Sequence, residues 1–213
     1  MTEPRREFER ELEAIEADVI QLFAMVEEGL GQAWQALVGG DGDICAVLTE
    51  RDRQIDVLYR QVEELVQREI LLQAPVSSDL RFLLSVLRIT PELERTHDLI
   101  VQIAASAASV SLEELSAAGQ QVLTRMGELV TQMWAKASDC WYERDRAVAD
   151  ALAEQDKELD ELHARLFAEL AAGGMSAPAT MGFTLVARFY ERLGAHAVNV
   201  ARRVIYLAGP ARD

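Results

Sequence analysis

Among the carboxylates that stand four residues apart are Asp52 with Asp56, Glu94 with Asp98, and Asp156 with Asp160. Four residues turn a helix through about 400°, so both members of a pair leave one face a single turn apart. Like charges placed this way repel, at a cost of about a few tenths of a kcal/mol per pair. A hard cation would turn that cost into affinity. Two such helices packed antiparallel could present four carboxylates to one cation or to a small metal cluster, as carboxylate-bridged bundles do. The opposing reading is a solvated acidic face, because 36 acids among 213 residues give about six such pairs by chance. Repetition weighs against chance: Asp52 and Asp56 recur as Asp156 and Asp160, and Glu94 recurs as Glu191. The candidate metal ligands are therefore Asp52, Asp56, Glu94, Asp98, Asp156, Asp160 and Glu191, and the residues alone leave both readings open.

Other chemistry is thin. The chain has no nucleophile–base grouping, glycine-rich phosphate loop or zinc-type Cys/His spacing, so no catalytic or organic-cofactor residues are expected. Glu94-x-x-His97 matches half of a di-iron pattern, which needs a second helix carrying the same motif. His97 then reads as a helix-face histidine, and His163, among charged neighbours, as a solvated one. Trp34, Trp134 and Trp141 fall on or beside apolar stripes and read as packing residues. Cys45 and Cys140 are far apart in helical surroundings, which fits buried thiols in a reducing compartment.

The formal charge of −15 argues against nucleic acid, whose binding needs a basic footprint, and against simple docking on anionic lipid. Met1 to Arg10 is charged and lacks the apolar stretch of a signal peptide. The longest uncharged run, Leu170 to Ala187, contains Gly173, Gly174 and Pro178 and is no spanning helix. A soluble, cytoplasmic protein is expected.

Six helices must position the carboxylates. Phe8, Leu12, Ile15, Val19, Leu22 and Val26 step by four and three, and the stripe continues through Leu30, Trp34 and Leu37 to Gly39-Gly40. Asp41 or Asp43 can cap the second helix, which carries Val47, Ile55, Leu58, Val62, Leu65 and Leu72 and stops before Pro75. Ser77 or Ser78 opens the third, with Leu80, Leu84, Leu87, Leu93 and Val101, and Pro91 should kink it. Ser111 and Glu114 read as a capping box for the fourth helix, striped by Leu115, Val122, Met126, Leu129, Met133 and Cys140. The fifth carries Leu152, Leu159, Leu162, Leu166 and Leu170 up to Gly173-Gly174. The sixth carries Val186, Phe189, Leu193, Ala197, Val200 and Val204 up to Gly209-Pro210. No segment shows strand-like alternation, so the chain is all-α.

The helices also repeat. Glu50 to Leu58 matches Glu154 to Leu162 at an offset of 104, and Glu94-Arg95 matches Glu191-Arg192 at an offset of 97. The difference of seven is two helical turns, which a loop absorbs without changing the stripe's phase. Two tandem antiparallel three-helix bundles follow, with residues 1–109 as the first repeat and 110–213 as the second.

Two stretches carry a family resemblance. Pro75-Val76-Ser77-Ser78-Asp79-Leu80-Arg81, followed by Leu93-Glu94-Arg95 and Asp98, resembles the first-repeat signature of the PhoU family. Phe189-Tyr190-Glu191-Arg192-Leu193-Gly194-Ala195-His196-Ala197-Val198-Asn199-Val200-Ala201 resembles the second-repeat signature, and Arg202 to Tyr206 continues like actinobacterial-type members. The resemblance implies tandem three-helix bundles and acidic motifs that hold a metal ion in some members, with iron, manganese, magnesium and zinc all admissible. It also implies a non-enzymatic, homodimeric adaptor that links a phosphate transporter ATPase to a sensor histidine kinase and restrains the phosphate-starvation response. Contact with a membrane would be indirect, through those partners. Two departures stand out. Ala195 replaces the usual aspartate beside Glu191, and Thr96-His97 replaces the usual isoleucine-glycine. His196 does not rescue the second site, because five residues rotate it about 140° from the Glu191 face. The competing readings are a carboxylate-bridged metal store or enzyme, and a metal-free helical interaction module.

Overall fold

A computed structural model describes residues 3–39, 42–145 and 147–207. Six long helices run α1 (Glu3–Gly39), α2 (Gly42–Gln73), α3 (Ser77–Ser106), α4 (Ala117–Glu143), α5 (Ala147–Ala171) and α6 (Ala177–Leu207), with one 3-10 turn at Leu112–Glu114. No strand occurs among the described residues. Helices α1, α2 and α3 pack on one another, as do α4, α5 and α6, giving two antiparallel three-helix bundles in tandem. The bundles lie side by side, joined closely along α3 and α6 and more lightly along α1 and α4. Their buried side chains form one continuous apolar cluster, so the second bundle covers a face that the first would otherwise expose.

That lateral contact explains where the helix stripes depart from expectation. Helix α3 touches α1, α2 and α6, so its buried arc is wider than a simple stripe. Leu83, Val86, Ile89, Leu93, Ile100 and Ile103 are buried, whereas the expected Leu80, Leu84, Leu87 and Val101 are only half-buried. Helix α2 is an outer helix, and its expected core residues Val47 and Leu72 are 52% and 70% exposed.

The expected capping box at Ser111 and Glu114 does not form, because the Ser111 side chain makes no cap bond. Helix α4 begins later, at Ala117, where Ser116 Oγ accepts the Gly119 N–H at 2.9 Å. Leu115 is buried just before it, and the Gln120 amide donates to the carbonyls of Leu112 and Leu115, which ties the intervening turn to α4. Helix α3 continues through Pro91, whose missing N–H leaves the Leu87 carbonyl without its helical donor. Helix α5 ends where Gly173 and Gly174 adopt φ of 86° and 104°. The capping position Asp41, the glycine at 40 and the Gly209-Pro210 stop lie outside the described residues.

Candidate metal centre

Helices α2 and α3 are antiparallel neighbours joined by the Ala74–Val76 turn, and their packing sets two carboxylate pairs side by side. Asp52 and Asp56 come from α2, and Glu94 and Asp98 from α3. Burial raises the carboxyl pKa of Glu94, and the charges of Asp98, Asp56 and Asp52 raise it further, against the opposing pull of Arg95. Burial likewise raises Asp98, reinforced by Asp52 and Asp56. Glu94 and Asp98 therefore sit within electrostatic reach of Asp52 and Asp56.

Some of the neighbouring cations are turned elsewhere. Arg51 reaches across to α1, donating to Gln32 Oε1 at 2.9 Å and Glu28 Oε1 at 2.6 Å. Arg53 pairs with Glu50, and Arg60 stands 3.9 Å from Asp56 at the margin. Asp52 meets His97 instead, with Nδ1 donating to Oδ1 at 2.9 Å. A concentration of negative charge with hard oxygen donors, offset in part by Arg60 and Arg95, has the chemistry a divalent or trivalent cation requires. Its geometry is open: among the described residues no three His, Cys, Asp or Glu side chains converge as a ready-made nest. A cation would have to draw the carboxylates inward by side-chain rotation.

The second repeat brings Asp156, Asp160 and Glu191 together on α5 and α6. Burial raises the Asp156 carboxyl, as do the charges of Asp160 and Glu191, while Arg202 lowers it. Here the helices supply their own cations. Arg188 pairs with Glu191, and Arg202 acts on Asp156. Their repeat-one counterparts are Pro91 and Ala105, which carry no charge. Ala195 thus removes one carboxylate while two arginines offset much of what remains. The sequence reading found the missing aspartate but not the arginines, although the same offset of 97 identifies both.

Two of the three histidines, His97 and His163, differ from expectation. His97 is fully buried, with Nδ1 on Asp52 and Nε2 unpartnered, and is neither a helix-face residue nor a direct cation ligand as placed. Burial lowers its pKa despite the opposing bond to Asp52, so the ring is neutral with the proton on Nδ1. His196 lies buried between the bundles, its Nδ1 3.0 Å from Thr96 Oγ1. His163 is half-buried against the Phe167 ring at 4.7 Å, with Nε2 shielded and unpartnered. The tryptophans match the packing assignment: Trp134 and Trp141 are fully buried, and half-buried Trp34 lies against Gly127 where α1 meets α4. Both cysteines are free, with Cys140 buried and Cys45 half-buried.

A family model for the PhoU domain matches residues 19–107 and again residues 123–204. The chain belongs to the PhoU family. Among PhoU relatives, a "phosphate-specific transport system accessory protein PhoU homolog" of Zymomonas mobilis is 30% identical over 205 residues, covering 94% of this chain and 86% of that one. A Synechocystis homologue of the same description is 28% identical, covering 98% and 94%. The crystal structure of PhoU from Pseudomonas aeruginosa superposes with a TM-score of 0.86 at 29% identity, covering 94% of this chain and 98% of that one. A Streptococcus pneumoniae structure, titled a phosphate transport system regulatory protein PhoU, reaches the same TM-score at 25% identity, covering 95% and 97%. Within this PhoU fold the matched segments hold all seven candidate carboxylates.

Proposed function

We propose that this chain is a non-enzymatic regulator of phosphate transport, acting as an adaptor between a phosphate transporter ATPase and a sensor histidine kinase. The observation that carries the reading is likeness along nearly the whole chain, in sequence and in fold, to proteins described as accessory or regulatory to phosphate transport. An adaptor also suits a molecule built of long helices whose described residues contain no helix long and apolar enough to cross a membrane. The reading places it in the cytoplasm, where both partners present soluble faces.

The α2–α3 carboxylates hold a hard cation in this reading. Phosphate would be repelled by four gathered carboxylates, and a bound cation inverts that local charge. Asp52, Asp56, Glu94 and Asp98 would supply the oxygen ligands.

Tagged protein should capture the transporter ATPase and the sensor kinase from cells grown in phosphate. Deleting the gene, together with any paralogue, should derepress phosphate-uptake genes in phosphate-rich medium. Unchanged expression with neither partner captured would remove the assignment.

A further inference from the structure

The two repeats fill one packing position in opposite ways. Where α1 crosses α3, Gly29 faces His97: a Cβ on Gly29 would lie 3.3 Å from both Cδ2 and Nε2 of the ring. The repeat counterparts of this pair are Met133 on α4 and Gly194 on α6. There the long side chains come from the other two helices, and a Cβ on Gly194 would lie 2.4 Å from Leu159 Cδ2, 3.2 Å from Asp156 Oδ1 and 3.4 Å from Met133 Cε. Both arrangements fill the volume, but they treat the neighbouring carboxylate differently. His97 bonds Asp52, whereas Asp156 accepts no side-chain hydrogen bond among the described residues.

Packing alone does not account for the histidine. Leu159 and Met133 fill the second repeat's version without burying a polar atom of their own, while His97 leaves Nε2 shielded and unpartnered. What the ring adds is a donor aimed at one carboxylate oxygen. We propose that His97 is a positioning residue whose Nδ1–H holds Asp52 Oδ1, leaving Oδ2 for a cation, and that Gly29 provides the room for the ring. The proposal rests on the cation reading of the α2–α3 carboxylates. Outer hydrogen bonds of this kind orient ligating groups, and their loss typically weakens metal affinity about 10- to 100-fold.

The test is manganese(II) binding by calorimetry, with melting of the metal-free protein, on wild type, His97→Asn, His97→Leu and Gly29→Met/His97→Gly. The asparagine amide places a donor near the Nδ1 position, leucine fills the space without one, and the double variant transplants the second repeat's packing. Expected is wild-type affinity within about threefold for His97→Asn and a loss of about tenfold or more for the other two. The metal-free melting temperature of His97→Leu should hold or rise. Wild-type affinity in His97→Leu overturns the proposal. So does an asparagine variant that falls as far as leucine, because that marks the ring as packing only. Nitrogen-15 spectra of His97 in metal-free protein supply an arm that needs no metal: protonated Nδ1 and bare Nε2, shifted by Asp52→Asn. If wild type takes up no manganese, the cation reading fails by itself, and these spectra decide whether His97 holds Asp52. A proton on Nε2 refutes the hold.

Discussion

Residue-scale chemistry separates the two halves of the molecule. In the first repeat four carboxylates gather, with Arg51 drawn away by Glu28 and Gln32 while Arg60 and Arg95 offset part of the charge. In the second, three carboxylates share their face with Arg188 and Arg202. Cation affinity follows the number and charge of oxygen ligands, so manganese should stabilise the protein through the first repeat alone. Glu94→Ala/Asp98→Ala should abolish most of the manganese-dependent rise in melting temperature. Ala195→Asp should restore little by itself, because both arginines persist; with Arg188→Gln and Arg202→Gln added, a second response should emerge. Equal manganese response in wild type and the Glu94/Asp98 variant would reduce the pairs to solvated faces. Without metal the sign reverses. Glu94 and Asp98 titrate above the ordinary carboxylate range, so their charge opposes folding at neutral pH and the penalty is relieved as pH falls through their folded pKa values. Removing both should raise metal-free stability at pH 7.5 by about a few tenths of a kcal/mol. Spacing brought out six candidate carboxylates and the repeat offset the seventh, Glu191, whereas the destination of Arg51 depends on α1 lying beside α2, a contact that no local pattern states.

Between elements, the α3–α6 seam pairs an apolar side with a polar one. Leu99 and Leu193 are buried, while their repeat counterparts, His196 and Thr96, form a buried polar pair. The Thr96 hydroxyl donates to the Glu92 carbonyl at 2.6 Å, so it must accept from His196 Nδ1. Burial lowers the His196 pKa, opposed by Glu92 on α3 and assisted by Arg192 on α6 and Arg95 on α3. A histidine depressed in the folded state contributes nothing above its ordinary pKa of 6.5, and stability is lost as pH falls from there through the folded value. Thr96→Leu/His196→Leu should flatten part of that acid slope while keeping stability at pH 7.5, since both polar partners leave together. Denaturant unfolding at pH 7.5 and 5.5 measures it. The helical period identified His196 as off the Glu191 face and stopped there, because a period gives direction around one helix and not the identity of what faces it. The same limit explains α3: its stripe was assigned one neighbour too few, and Leu83 and Val86 carry the burial expected of Leu84 and Leu87. The fold class was legible because several helices break at residues with local reasons to break, such as Pro75 and Gly173-Gly174.

At the scale of the whole molecule, the question is whether two bundles are two folding units. One apolar cluster runs through both, and Trp134 donates its indole N–H to the Leu193 carbonyl at 3.1 Å near the α3–α6 seam. Phe23 of α1 packs within 6.4 Å of the Trp134 and Trp141 rings of α4. At the end of α4, Arg144 takes a left-handed conformation with φ of 56°. Its guanidinium lies 4.2 Å from the Trp141 ring centroid and 5.8 Å from that of Phe82 on α3, and pairs with Glu16 on α1. One residue thereby touches both bundles. Arg144→Ala removes a charged hydrogen bond and a stacked cation but also an unpartnered buried Nη1, and should cost about 2 kcal/mol. A tandem repeat need not be a tandem of independent domains when its units share a core. Expressed separately, residues 1–109 and 110–213 should each expose half of the seam, including Leu99 in one and Leu193 in the other. Each should melt without cooperativity or associate, and mixing them should restore a cooperative transition near that of the intact chain. Arg144→Ala should weaken that reassembly more than it weakens the covalent protein, because only the fragments must bring the two bundles together. Sharp independent melting of both fragments would show that the shared cluster is an interface between finished domains rather than one core.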